Sequence, residues 1–100
     1  MKIKDYRDYD ISGATPAALD GFEDALATFQ SWRRGTETHL GRALLEAPTF
    51  TMAHVLNAYL YLCSRDPNHV RLARSVHAQA SRLDANDRER LHLAAMGAAL

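Results

Sequence analysis

The sequence predicts an all-α fold of antiparallel helical hairpins, about five helices in all, and three observations point there. From residue 15 onward apolar residues recur three and four apart, the period of an amphipathic helix. The segments with that period are about 11–18 residues long and are joined by very short connectors marked by proline, glycine, aspartate and asparagine. Residues 46–65, EAPTFTMAHVLNAYLYLCSR, hold only two clearly polar residues between Met52 and Cys63, namely His54 and Asn57. Apolar groups therefore surround that cylinder, and such a helix needs neighbours on several sides. It is the expected centre of the domain.

Composition sets the scale. One hundred residues make one small domain that buries roughly 60–70% of its unfolded surface and is marginally stable. The chain is 47% hydrophobic and 24% charged with zero formal net charge, as in a soluble globular protein. No run reaches the ~18 apolar residues that a bilayer span requires, so no membrane partner is expected. Met1-Lys2-Ile3-Lys4 is followed by Asp5, Tyr6 and Arg7 instead of an apolar core, which predicts no secretory signal and a cytoplasmic location. Ten of the twelve basic residues are Arg and seventeen residues are Ala, a bias that suggests a GC-rich bacterial genome. Acids exceed bases by six to three over residues 1–24, and bases exceed acids by six to four over residues 65–90. These imbalances are small, and with few lysines and no basic and aromatic interleaving no nucleic-acid partner is expected.

Taken in order, residues 1–14 show no clean period and read as an irregular arm whose Tyr6 and Tyr9 could dock on the helices. Thr15-Pro16 starts the first helix, expected over 16–34, because Thr15 accepts an orphan amide and proline at the first position has none to lose. Leu19, Phe22, Ala25, Leu26, Phe29 and Trp32 share one face of it, opposite Asp20, Glu23, Asp24 and Gln30. Gly35 supplies a left-handed stop and Thr36 a cap for the second helix, 37–47, with Leu40, Ala43, Leu44 and Ala47 inward. Gly41 is a weak point in it unless a neighbour crosses closely. The third helix, 50–64, is capped by Thr49 or Thr51 and ends before Pro67. The fourth, 68–83, turns Val70, Ala73, Val76, Ala80 and Leu83 inward and Arg71, Arg74 and Arg82 outward. Asn86 with Glu89 three residues on forms a capping box that opens the fifth, 87–100. There Leu91, Ala94, Ala95 and Ala98, with Leu93, Met96 and Leu100 beside them, run apolar to the last residue without a stop signal. The expectation is that the array continues, or that this end meets a second copy.

The spacing of these hairpins suggests a repeat, with an ordinary helical bundle as the alternative. Leu40, Ala43, Pro48, Ala53, Ala58 and Tyr61 fall where a tetratricopeptide repeat places its bulky, small, closing-proline, small, small and aromatic residues. Asn57, His54 and Asp84 depart from that pattern. The strings FEDALATFQSW (Phe22–Trp32), APTFTMAH (Ala47–His54) and RERLHLAA (Arg88–Ala95), at these separations, resemble the start of the tetratricopeptide repeat protein 38 family. The resemblance covers residues 16–100 and implies the amino-terminal portion of a longer α-solenoid of helical hairpins. It brings no catalytic residues with it.

No motif for chemistry emerges. The five histidines include no pair four apart and no HExxH, the single cysteine gives no CxxC, and no glycine-rich phosphate loop or GxSxG elbow is present. Neither metal nor cofactor is expected. Cys63 reads as a small buried hydrophobe, and His54 and His92 read as hydrogen-bonded packing residues. Asp20, Glu23 and Asp24 read as a solvated face. In a tetratricopeptide array the first helices of successive hairpins line the concave surface, here the third and fifth. That placement makes Met52, Val55, Asn57 and Tyr59 candidates for contact with a helix or extended peptide. For Met52, Val55 and Tyr59 the alternative is packing against the first two helices. Arg71 and Arg74 could clamp an acidic partner or simply meet water. The expected function is a non-catalytic scaffold for a protein or peptide partner, with self-association through the fifth helix as the alternative.

Overall fold

The computed structural model describes residues 3–5, 7, 9–31, 35–64 and 66–100. Helix α1 (Pro16–Gln30) starts as its sequence dictates, with the Thr15 hydroxyl accepting from the Ala18 amide and Pro16 at the first position. It ends earlier than expected, with Ser31 as its C-cap, and residues 32–34 of the expected extension, Trp32 among them, lie outside the described residues. Helix α2 (Thr36–Glu46) follows Gly35, whose φ of 103° is the left-handed conformation expected of it. Thr36 does not cap. It is buried, and its hydroxyl lies 2.8 Å from that of Thr28, so it ties α2 to α1.

Helix α3 (Thr51–Cys63) also lacks a side-chain cap among the described residues, because Phe50 occupies that position. The wholly buried Thr51 hydroxyl instead donates to the Asp84 carbonyl at 2.6 Å. Helix α4 (Pro67–Ala80) is capped by Asp66, which accepts from the Asn68 amide. Helix α5 (Asp87–Ala99) carries both halves of the capping box between Asn86 and Glu89.

The fold is all-α, with α1 packed mainly on α2 and α3 mainly on α4 as hairpins. The domain measures 39 × 28 × 22 Å along its principal axes. Two apolar cores meet at α3. Ala53 and Leu56 join Phe22, Leu40 and Phe50 in the larger one, while Val55 joins Ala80 and Leu93 in the smaller. The Phe22 and Phe50 rings stand 5.0 Å apart between centroids. The all-round apolar pattern of α3 is thereby accounted for: its neighbours include α2, α4 and α5.

The arm differs from the irregular segment expected. Strand β1 (Ile3–Lys4) pairs antiparallel with β2 (Asp10–Ile11), placing Ile3 opposite Ile11. Two-residue strands are too short to leave a period in the sequence. Ile11 enters the larger core, while Tyr9 is exposed and Tyr6 lies outside the described residues. At Gly13, φ is 78° and an added Cβ would lie 1.9 Å from the Thr49 carbonyl oxygen, so only glycine lets the arm pass that close.

The sequence left the buried face of α5 open, and the expectation for Cys63 fails. Helix α5 turns Glu89, Leu93 and Met96 inward, whereas Leu91 is 71% exposed and Ala94, Ala95 and Ala98 face outward. Glu89 bonds to the arm from the same face that buries Leu93 and Met96. Cys63 is exposed, because it is the last residue of α3 and lies past the helix's buried stretch, Thr51–Ala58.

Candidate binding groove

A cavity of about 440 Å³ opens between the arm, α1, α3 and α5, with no lining residue from α2 or α4. Phe22, Leu26 and Phe29 form one wall, at the four- and three-residue spacing that places them on one face of α1. Met52, Val55, Leu56 and Tyr59 form the opposite wall by the same rule on α3. Arg88 and His92, four apart on α5, and Asp5, Arg7, Tyr9 and Ile11 from the arm close the remainder. The volume lies within the range of sites that enclose a small ligand or a side-chain anchor, and the lining is largely apolar with a few polar groups, as in such sites.

Three of the six partner-contact candidates lie here: Met52, Val55 and Tyr59. Of their alternative role, packing against the first two helices, Met52 shows a part by packing on the larger core, whereas Val55 is buried in the smaller core beside Ala80 and Leu93, with Tyr59 packed against it. The other three lie elsewhere. Asn57 sits off the 52-55-56-59 stripe and does not line the cavity. Arg71 and Arg74 are exposed on α4, which turns Ala73 and Ala80 toward the core and its arginines away. Arg74 donates to the Leu100 carbonyl at 2.9 Å, so it works on the carboxyl end of α5.

The polar rim is organised around Asp5. Its Oδ1 accepts from the amides of Arg7 and Tyr9, both at 2.9 Å, which shapes the turn between the strands. Its Oδ2 lies 3.7 Å from Arg88 Nη2, and the Arg88 guanidinium rests 4.6 Å from the Tyr9 ring centroid. Nη2 itself is buried and has no hydrogen-bond partner among the described residues. Nearby, Glu23 is held above the usual carboxylate range, chiefly because burial disfavours its charge, with Asp5 adding to the effect and Arg7 opposing it. The sequence signal for Arg88 and His92 is their i,i+4 spacing on a helix that opens with a capping box.

Beneath the rim, α5 clasps the arm. The Glu89 carboxylate is fully buried and accepts from the Ser12 amide at 3.0 Å, the Ser12 hydroxyl at 2.6 Å and the Asn86 amide at 3.0 Å. The Asn86 side chain donates to the Asp10 carbonyl at 2.8 Å.

Other polar clusters are local. Ser64 and His69 lie 2.6 Å apart, with Asp66 3.8 Å from the far ring nitrogen, which suggests a nucleophile arrangement. The Ser64 hydroxyl also reaches the Tyr61 carbonyl, Asp66 caps α4, and the group lies outside the cavity. Those bonds define a helix-to-helix turn. His54 meets the Pro48 carbonyl at 2.7 Å and His77 the Leu93 carbonyl at 2.8 Å, each as a packing histidine. Among the described residues no group of three His, Cys, Asp or Glu could hold a metal ion, and no helix is long and apolar enough to cross a membrane. No protein-family model, curated protein or solved structure matches the chain.

Proposed function

We propose that this chain is a tetratricopeptide-like interaction module, without catalytic chemistry of its own, that holds a peptide or protein segment in the groove between α1, α3 and α5. One observation supports the reading above the others: the first helices of the two hairpins, α1 and α3, share one apolar cavity with α5, and among the described residues α2 and α4 contribute nothing to it. Successive first helices are the ones that line the concave face of a helical solenoid. The reading also extends the resemblance to the tetratricopeptide repeat protein 38 family, with this chain as the amino-terminal part of a longer array in a bacterial cytoplasm. Selection from a displayed library of random twelve-residue peptides, followed by hydrogen exchange of the complex, tests it. Protection should fall on the cavity faces of α1, α3 and α5 and disappear in Met52→Asp. Protection limited to α2 and α4 would remove the proposal.

Self-association is a second reading, favoured by the 71% exposure of Leu91 beside the outward Ala94, Ala95 and Ala98. A second copy would cover this face of α5. Light scattering at high concentration should then report a dimer that Leu91→Arg returns to monomer, and a strictly monomeric wild type rejects it.

A further inference from the structure

The rim of the groove holds a donor without an acceptor. Arg88 Nη2 is buried and unbonded among the described residues, and the carboxylate oxygen it faces there, Asp5 Oδ2 at 3.7 Å, lies beyond hydrogen-bond reach. Asp5 cannot readily turn to meet it, because Oδ1 is fixed by the Arg7 and Tyr9 amides and the side chain is only 6% exposed. The guanidinium is also held in place from the other side, by the Tyr9 ring at 4.6 Å. A buried N–H in this state is costly until an acceptor arrives, and a carboxylate is the acceptor that matches a guanidinium fork. Charge points the same way, since among the described residues the charged lining comprises Arg7 and Arg88 against Asp5, a surplus of one positive charge. Below the rim, Phe22, Leu26, Met52 and Val55 present apolar surface for a bulky side chain.

Resting on the groove reading, we infer that the occupant is an apolar peptide segment carrying an internal acidic side chain, and that Arg88 reads the acid. Arg88 is then the specificity-determining residue, while the α1 and α3 walls supply affinity that does not depend on charge. Asp5 weakens acid recognition by partly neutralising Arg88, so removing its charge strengthens binding.

The probe is an array of nine-residue peptides, acetylated and amidated at their ends, with Leu or Phe at the centre and Glu at each flanking position in turn. Each has a Gln counterpart, and affinities are read by calorimetry. At least one Glu peptide should bind about tenfold more tightly than its Gln partner, and Arg88→Gln should erase that difference. Asp5→Asn keeps the Oδ1 acceptor for the turn and should tighten the Glu peptide about threefold while leaving its Gln partner unchanged. Equal binding of Glu and Gln peptides would overturn the role of Arg88 and leave the groove reading standing. Failure of every peptide to bind would overturn both. Decanoate displacing the acidic peptide at equal concentration would reassign the site to a small amphipathic acid, against the inference.

Discussion

Replacing Glu89 by Gln tests how the arm is held. The carboxylate has no exposed surface and accepts three hydrogen bonds, two of them from Ser12, 77 residues away in sequence. In Gln, one oxygen becomes a donor. If the nitrogen replaces Oε2 it meets the Ser12 amide, and if it replaces Oε1 it meets the Asn86 amide. Only the Ser12 hydroxyl can turn away. Either way one backbone N–H loses its acceptor, at about 1–3 kcal/mol, and the remaining bonds lose their charge assistance. A total of about 2–4 kcal/mol is expected against a stability of about 5–15 kcal/mol for a domain of this size. Ser12→Ala, which removes only the hydroxyl bond, should cost about 1 kcal/mol. Urea denaturation measures both losses, and exchange of the Ser12 amide locates them: it should accelerate more than amides in the middle of α3. An unchanged midpoint, with Ser12 protection intact, would show that the clasp contributes nothing.

Phe50→Ala should destabilise by about 3–5 kcal/mol, because the ring is wholly buried against Phe22; a loss under about 1 kcal/mol would mean that the larger core is loosely packed. Two glycines should respond in opposite directions. Gly13→Ala forces a Cβ against the Thr49 carbonyl at positive φ and should cost more than about 2 kcal/mol, whereas Gly41→Ala, with nothing within 4 Å, should gain about 0.5–1 kcal/mol. Glu23 gives a pH signature. Burial raises its pKa above the unfolded value, so the folded state keeps its proton to higher pH, and stability falls as pH rises from the ordinary glutamate range to the raised value. Glu23→Gln removes that cost. The variant should unfold at a higher temperature than wild type at pH 7 and lose the advantage below the ordinary glutamate range.

What could be read from the sequence depended on the range of the interactions involved. Thr15-Pro16, Gly35, Asp66 and the Asn86–Glu89 pair act within a few residues, and each marks its helix end within a short distance of where the end falls. The apolar surround of α3 was legible because it requires neighbours, not particular ones. Thr36 and Thr51 resemble caps in the sequence, but their hydroxyls bond to distant partners, Thr28 and Asp84. The apolar residues of α5 lie on more than one side, so periodicity leaves its buried face open, and Glu89, Leu93 and Met96 mark that face in the structure. Of the site, the α3 stripe was visible as Met52, Val55 and Tyr59, while the arm and Arg88 were not. Their positions depend on the arm returning to the start of α5.

That return makes the groove and the arm parts of one mechanical unit. Asn86 and Glu89 face the arm and hold Asp10 and Ser12, while Arg88 and His92, rotated around the same helix, line the cavity. Asp5 and Tyr9 then reach back to Arg88. A segment seated in the groove contacts walls that exist only while the arm is docked, so it must favour the docked state, and the docked state must favour it by the same factor. A peptide bound in the groove should therefore slow exchange of the Ser12 amide, although that amide is bonded to Glu89 and does not line the cavity. Glu89→Gln should weaken the same peptide without removing any group from the groove wall. Binding that left Ser12 exchange unchanged, and that was unaffected by Glu89→Gln, would show that the arm is only a passive edge of the site.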